Sequence, residues 1–164
     1  MENTLIDSSK VFIENDFPTK DDVLKFIADK ASKLGVADSS DGLLADLRQR
    51  EVEISTGLED GFAIPHAKSS HVIYPSVLFI RSKTPIFWES FDDKDVTNIL
   101  ALLVPAENKD NLHLKMLSKL AVSLMDADFK SRLCNSDSKE YIAERILSAS
   151  KWFSSSRKPA TFSA

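Results

Sequence analysis

Apolar and polar positions along this chain switch between two periods, and the switch points divide it into elements. Val11-Phe12-Ile13 is a short apolar run that predicts a strand. After Phe17-Pro18-Thr19 the period turns helical. Val23, Leu24, Ile27, Ala31 and Leu34 fall on one face, Thr19 caps with Asp22 three residues on, and Gly35 ends the helix. Asp38-Ser39-Ser40-Asp41 opens a second helix, on which Leu43, Leu47 and Arg50 share a face. Phe62-Ala63-Ile64 and residues 76–81 and 98–104 are continuous apolar runs, the pattern of fully buried strands. Ile86-Phe87-Trp88 reads either as an edge strand or as a packed loop. Asp110 then caps a long helix with the stripe Leu117, Leu120, Ala121 and Leu124. Shorter helices are expected over residues 129–134 and 138–150.

Helices alternating with near-continuous apolar strands predict an α/β fold: a mixed, mostly parallel sheet with helices on both faces, in one domain. That domain is expected over residues 1–153, followed by a frayed, Ser-rich tail over 154–164. There is no internal repeat.

Composition narrows the function classes. A chain of 164 residues, 43% apolar and 28% charged, is that of an ordinary globular domain with a sizeable core. A net charge of -4 and a pI near 5.4 give no basic nucleic-acid footprint. The single Cys134 excludes an internal disulfide and a multi-cysteine zinc site. No apolar run approaches the roughly 18 residues of a spanning helix, and no signal-peptide pattern opens the chain, so a cytoplasmic protein is expected.

Candidate chemistry concentrates at residues 55–66. Two of the four glycines, Gly57 and Gly61, mark tight turns there. Pro65 fixes its own backbone and holds Ile64 extended, so His66 is expected to leave the strand end on a stiffened chain. A neutral imidazole so placed is a nucleophile able to hold a phosphoryl or acyl group. The alternative is a partly buried histidine satisfied by a backbone carbonyl. His113 falls on the stripe of Leu117 and Leu120, in the first turn after Asp110. There the helix dipole disfavours an imidazolium and favours a nearby anion; a core histidine is the competing reading. Arg50 is either a helix-end charge or an inward guanidinium gripping phosphoryl oxygens bidentately. Glu51 reads as a solvated charge. Ser55 and Thr56 offer hydroxyls to the same oxygens or close the turn, with turn closure favoured for Ser55 and a polar contact for Thr56. His71 reads as exposed and Cys134 as structural. There is no metal-binding pair at helical spacing, and no Walker or dinucleotide glycine pattern.

Arg50-Glu51, Ser55-Thr56-Gly57 and Asp60-Gly61-Phe62-Ala63-Ile64-Pro65-His66-Ala67-Lys68, in that order, resemble the enzyme IIA domain of the fructose–mannitol class of the bacterial phosphotransferase system. Leu112-His113-Leu114-Lys115-Met116-Leu117 resembles that family's second histidine segment, and the resemblance extends over residues 17–148. It implies a phosphocarrier without cofactor or metal. His66 would accept a phosphoryl group from phospho-HPr at Nε2 and pass it to a IIB domain that serves a membrane IIC. It implies that His113 and Arg50 line the site. At Glu53-Ile54 the chain departs from a pair that is small or polar in many members, which leaves sugar preference open. Oligomeric state stays open too. The alternative is a regulatory IIA of the nitrogen-related branch, which controls partner proteins by its phosphorylation state.

Overall fold

Strands β4 (Ser76–Ile86) and β5 (Val96–Pro105) form the centre of the sheet, and both are buried along most of their length. The computed structural model describes residues 4–107 and 112–155, with the side chains of 112–113 and 151–155 excepted. β4 and β5 pair antiparallel, with Ile80 opposite Ile99 and Val77 opposite Leu102. β1 (Val11–Asn15) runs parallel to β4 on its outer side, with Val11 opposite Phe79. On the other side of β5, β2 (Phe62–Ala63) and β3 (His66–Ser69) lie end to end, both parallel to it. Three of these four pairings are parallel, so the sheet is mixed and mostly parallel, as the apolar runs predict.

Alternation along the strands builds two cores. Leu78, Ile80, Ile99, Ala101 and Leu103 face α1 (Lys20–Lys33) and α2 (Ser40–Glu53), where they meet Val23, Ile27, Leu43 and Leu47. Val77, Phe79, Leu100, Leu102 and Val104 face α3 (Leu112–Ser123), α4 (Ala127–Cys134) and α5 (Lys139–Ser155), through Leu120, Leu124, Leu133, Ile142 and Ile146. Each fully buried aliphatic or aromatic side chain removes enough apolar surface to contribute about 1.5–3 kcal/mol, so these faces fix which helix lies on which side.

The caps follow the sequence. The Thr19 hydroxyl accepts from the Asp22 N–H at 3.2 Å, and the Ser39 hydroxyl from Gly42 N–H at 2.9 Å. Gly35 sits at φ +78°, a left-handed stop after α1. Ile86 ends β4 while Phe87 is exposed and Trp88 buried, so the stretch is a packed loop rather than an edge strand. The last helix continues to Ser155, past the expected end at residue 150. Residues 156–164, most of the predicted tail, lie outside the described residues, as does Asp110.

Candidate functional site

α2 delivers the chain to the site. It ends at Glu53, and Ile54 turns the backbone extended at φ -153°. A narrow hairpin follows: Leu58 N–H donates to Phe62 O at 2.8 Å, with Asp60 at φ 58° and Gly61 at φ 80° in the turn. Asp60 is gripped by the buried Lys130 of α4, whose Nζ donates to its carboxylate at 2.5 Å. Gly57 passes so close to the 87–91 loop that a Cβ there would lie 2.1 Å from Glu89 O. Only glycine fits that approach.

His66 does not leave a strand end; it begins β3, opposite Leu102. Pro65 has no N–H to give the ladder, so pairing stops there. Its carbonyl still accepts from Leu102 N–H at 3.0 Å, which lets the strand resume in register.

His66 as a whole is 4% exposed. Its Nδ1 lies 2.9 Å from Ile64 O, and Arg50 Nε lies 3.0 Å from its Nε2. An arginine N–H can only donate and a carbonyl can only accept. Nε2 is therefore the acceptor and Nδ1 carries the proton. Arg50 is aimed by a second bond, from Nη1 to Ile54 O at 2.8 Å. A cavity of about 230 Å³ opens beside the pair, lined by Asp46, Arg50, Glu53, His66 and Lys68 among others.

The two hydroxyls next to the site are already engaged. Ser55 Oγ donates to Glu89 O at 2.6 Å, which ties the turn to the 87–91 loop. Thr56 Oγ1 donates to Glu51 Oε1 at 2.7 Å. His113 is in the first turn of α3, and its side chain lies outside the described residues.

Glu51 corrects the sequence reading. It is not solvated but 7% exposed. Its Oε2 accepts from Thr56 N–H at 2.9 Å, Trp88 Nε1–H at 3.2 Å and Lys20 Nζ at 3.3 Å. The signal was present: Leu43, Leu47 and Glu51 are spaced four apart and so stack on one helix face. His71 is half-buried rather than exposed. It bonds Asp38 through Nδ1 at 3.0 Å and its ring fills the space over Gly42. Cys134 is exposed at the end of α4; its sulfur receives a hydrogen bond from Asn98 Nδ2 at 3.4 Å, and partial desolvation pushes its thiol pKa up. Among the described residues, no group of three or more His, Cys, Asp or Glu is placed to hold a metal ion.

Comparison with known proteins agrees with this architecture. Residues 4–149 match the family described as phosphoenolpyruvate-dependent sugar phosphotransferase system, EIIA 2. The chain is 34% identical over 142 residues to the fructose-specific EIIA component of Haloferax volcanii, covering 87% of this chain and 92% of that protein. It is similar to the crystal structure of the nitrogen regulatory protein IIA-Ntr from Neisseria meningitidis. The TM-score is 0.80 at 28% identity, over 87% of this chain and 96% of that one. It also shares its fold with the mannitol IIA of Escherichia coli in complex with phosphorylated IIB, at TM-score 0.73 and 17% identity, over 87% of this chain and 97% of that one.

Proposed function

We propose that this chain, which belongs to the phosphoenolpyruvate-dependent sugar phosphotransferase system EIIA 2 family, is a cytoplasmic phosphocarrier that works through His66. Phospho-HPr is the donor and a fructose-class IIB domain the acceptor. One observation carries the reading: Nε2 of His66 is an unprotonated nitrogen facing a guanidinium at 3.0 Å. In the transfer, the P–N bond of the donor breaks and a P–Nε2 bond forms. Nε2 has no proton to lose, so the step needs no general base. The proton stays on Nδ1, which keeps donating to Ile64 O, and this bond supports the charge that develops on the ring. Arg50 Nε donates to the Nε2 lone pair, so it gives up that bond as the P–Nε2 bond forms, and turning its fork onto the phosphoryl oxygens spreads their charge. His113 completes the cluster from α3, as the family resemblance implies. The hydroxyls of Ser55 and Thr56 turn to the phosphoryl oxygens only by giving up Glu89 O and Glu51.

Docking must be reversible and must serve two partners in turn. Val52, Ile54 and Phe91 are 80%, 71% and 77% exposed. Val52 and Ile54 flank the end of α2 just after Arg50, and Phe91 N–H bonds Leu58 O across the loop. They supply an apolar rim of the kind that transient interfaces use.

The test is a relay. Purified protein is charged by phosphoenolpyruvate, enzyme I and HPr, then offered a fructose-class IIB domain. Phosphoryl transfer onto IIB is expected; a charged protein that passes nothing to sugar IIB domains contradicts transport. That second outcome would favour a regulatory role, a reading supported by the similarity to IIA-Ntr.

A further inference from the structure

We propose that Glu51 is a positioning residue of the site: its buried carboxylate fixes the backbone that sets the tautomer of His66. The inference rests on the phosphocarrier reading. Glu51 Oε2 and Oε1 accept from the N–H and hydroxyl of Thr56 at 2.9 and 2.7 Å. Thr56 O accepts from Ile64 N–H at 3.0 Å, and Ile64 O accepts from the Nδ1–H of His66 at 2.9 Å. Two residues thus link the carboxylate to the imidazole. The carboxylate also closes residues 51–56 into a loop, and Ile54 O inside that loop aims Arg50. Both ring nitrogens of His66 therefore meet groups whose positions depend on Glu51.

A buried carboxylate is costly unless donors replace its water. Here four donors do so, from Thr56 twice, Trp88 and Lys20. Trp88 is 1% exposed, and Lys20 Nζ also stands 5.6 Å over its indole ring. Both donate to Oε2, the oxygen that also accepts from Thr56 N–H. A fully satisfied buried network is rigid, which is the property a tautomer-setting carbonyl needs.

Two readouts test this. NMR of ¹⁵N-labelled imidazole reads the His66 tautomer in the unphosphorylated protein. Single-turnover transfer from phospho-HPr, across donor concentrations, separates maximal rate from half-saturation. The wild type is expected as the Nδ1–H tautomer. Glu51→Ala is expected to mix tautomers and cut the maximal rate about tenfold, the size of one lost hydrogen bond, with half-saturation unchanged. Glu51→Gln is expected to recover both, because the amide oxygen still accepts from Thr56 N–H while its NH₂ donates to Thr56 Oγ1. If Glu51→Ala does not fold, Trp88→Phe removes one donor and keeps the ring, and a smaller shift in the same direction is expected. A folded variant with lowered Tm but wild-type tautomer and rate overturns the inference, as does a Glu51→Gln protein as slow as Glu51→Ala. A wild type that takes up no phosphoryl group overturns the phosphocarrier reading, whereas a Glu51→Ala protein with the wild-type tautomer overturns this inference. The tautomer measurement is made without phosphate, so it tells the two failures apart.

Discussion

Arg50 and His66 share one hydrogen bond whose direction decides the chemistry: Nε of Arg50 donates to Nε2 of His66 at 3.0 Å. The bond leaves the proton on Nδ1 and holds a cation where a phosphoryl group would arrive. On the proposed function, the nucleophile and its charge-stabilising partner would thus stand preassembled at the edge of the sheet.

Arg50→Lys tests the fork. Lysine keeps the charge but not two parallel N–H bonds or the aim toward Ile54 O. A charge-assisted bond of about 1.5–3 kcal/mol, made chiefly in the transition state, corresponds to roughly 10- to 100-fold in rate. Single-turnover transfer from phospho-HPr is expected to slow by that amount. A wild-type rate would return Arg50 to a helix-end charge.

His113→Ala is expected to slow transfer, most plainly onto IIB, while leaving the fold and the site of phosphorylation unchanged. Circular dichroism checks the first condition and peptide mapping the second. Equal rates in both directions would make His113 a core residue.

Much of this was legible before the structure. Thr19, Ser39 and Gly35 mark helix ends through local chemistry, and the apolar runs at 76–81 and 98–104 announce central strands because burial on both faces leaves no polar positions. Arg50 was aligned with Leu43 and Leu47, and it does reach the signature histidine. Two features were not legible. The break at Pro65 and restart at His66 depend on pairing with β5, which is 36 residues further on at Leu102 and invisible to local pattern. Glu51 looks solvated from sequence because a carboxylate's burial depends on donors such as Trp88 and Lys20, which the fold brings together from distant segments.

Ile54→Ser tests the rim. The side chain is 71% exposed, so its loss is expected to leave stability unchanged. Half-saturation by phospho-HPr is expected to rise several-fold, with the maximal rate kept. A lowered maximal rate with unchanged half-saturation would instead tie Ile54 to the chemistry through Arg50.

Asp21 and Arg48 tie α1 to α2 through two bonds of 2.8 Å, and the Arg48 guanidinium holds the Asp21 carboxyl below its ordinary 3.8. A carboxylate with a depressed folded pKa contributes stability above 3.8 and loses it as pH falls through the folded value. Both side chains are half exposed, so solvent screening keeps the contribution small. Urea denaturation is expected to show Asp21→Asn slightly less stable than wild type at neutral pH. The gap is expected to shrink as pH falls below 3.8. A gap that widens in acid would contradict this assignment.

The central claim is that Nε2 of His66 carries the phosphoryl group. The most direct measurement is to charge the protein with phosphoenolpyruvate, enzyme I and HPr. The acid-labile phosphate is then mapped by mass spectrometry, and its nitrogen is identified by ¹⁵N–³¹P coupling. The account predicts one phosphoryl group per chain, on Nε2 of His66. Phosphate on His71 or His113, on Nδ1 of His66, or on no histidine at all would contradict it.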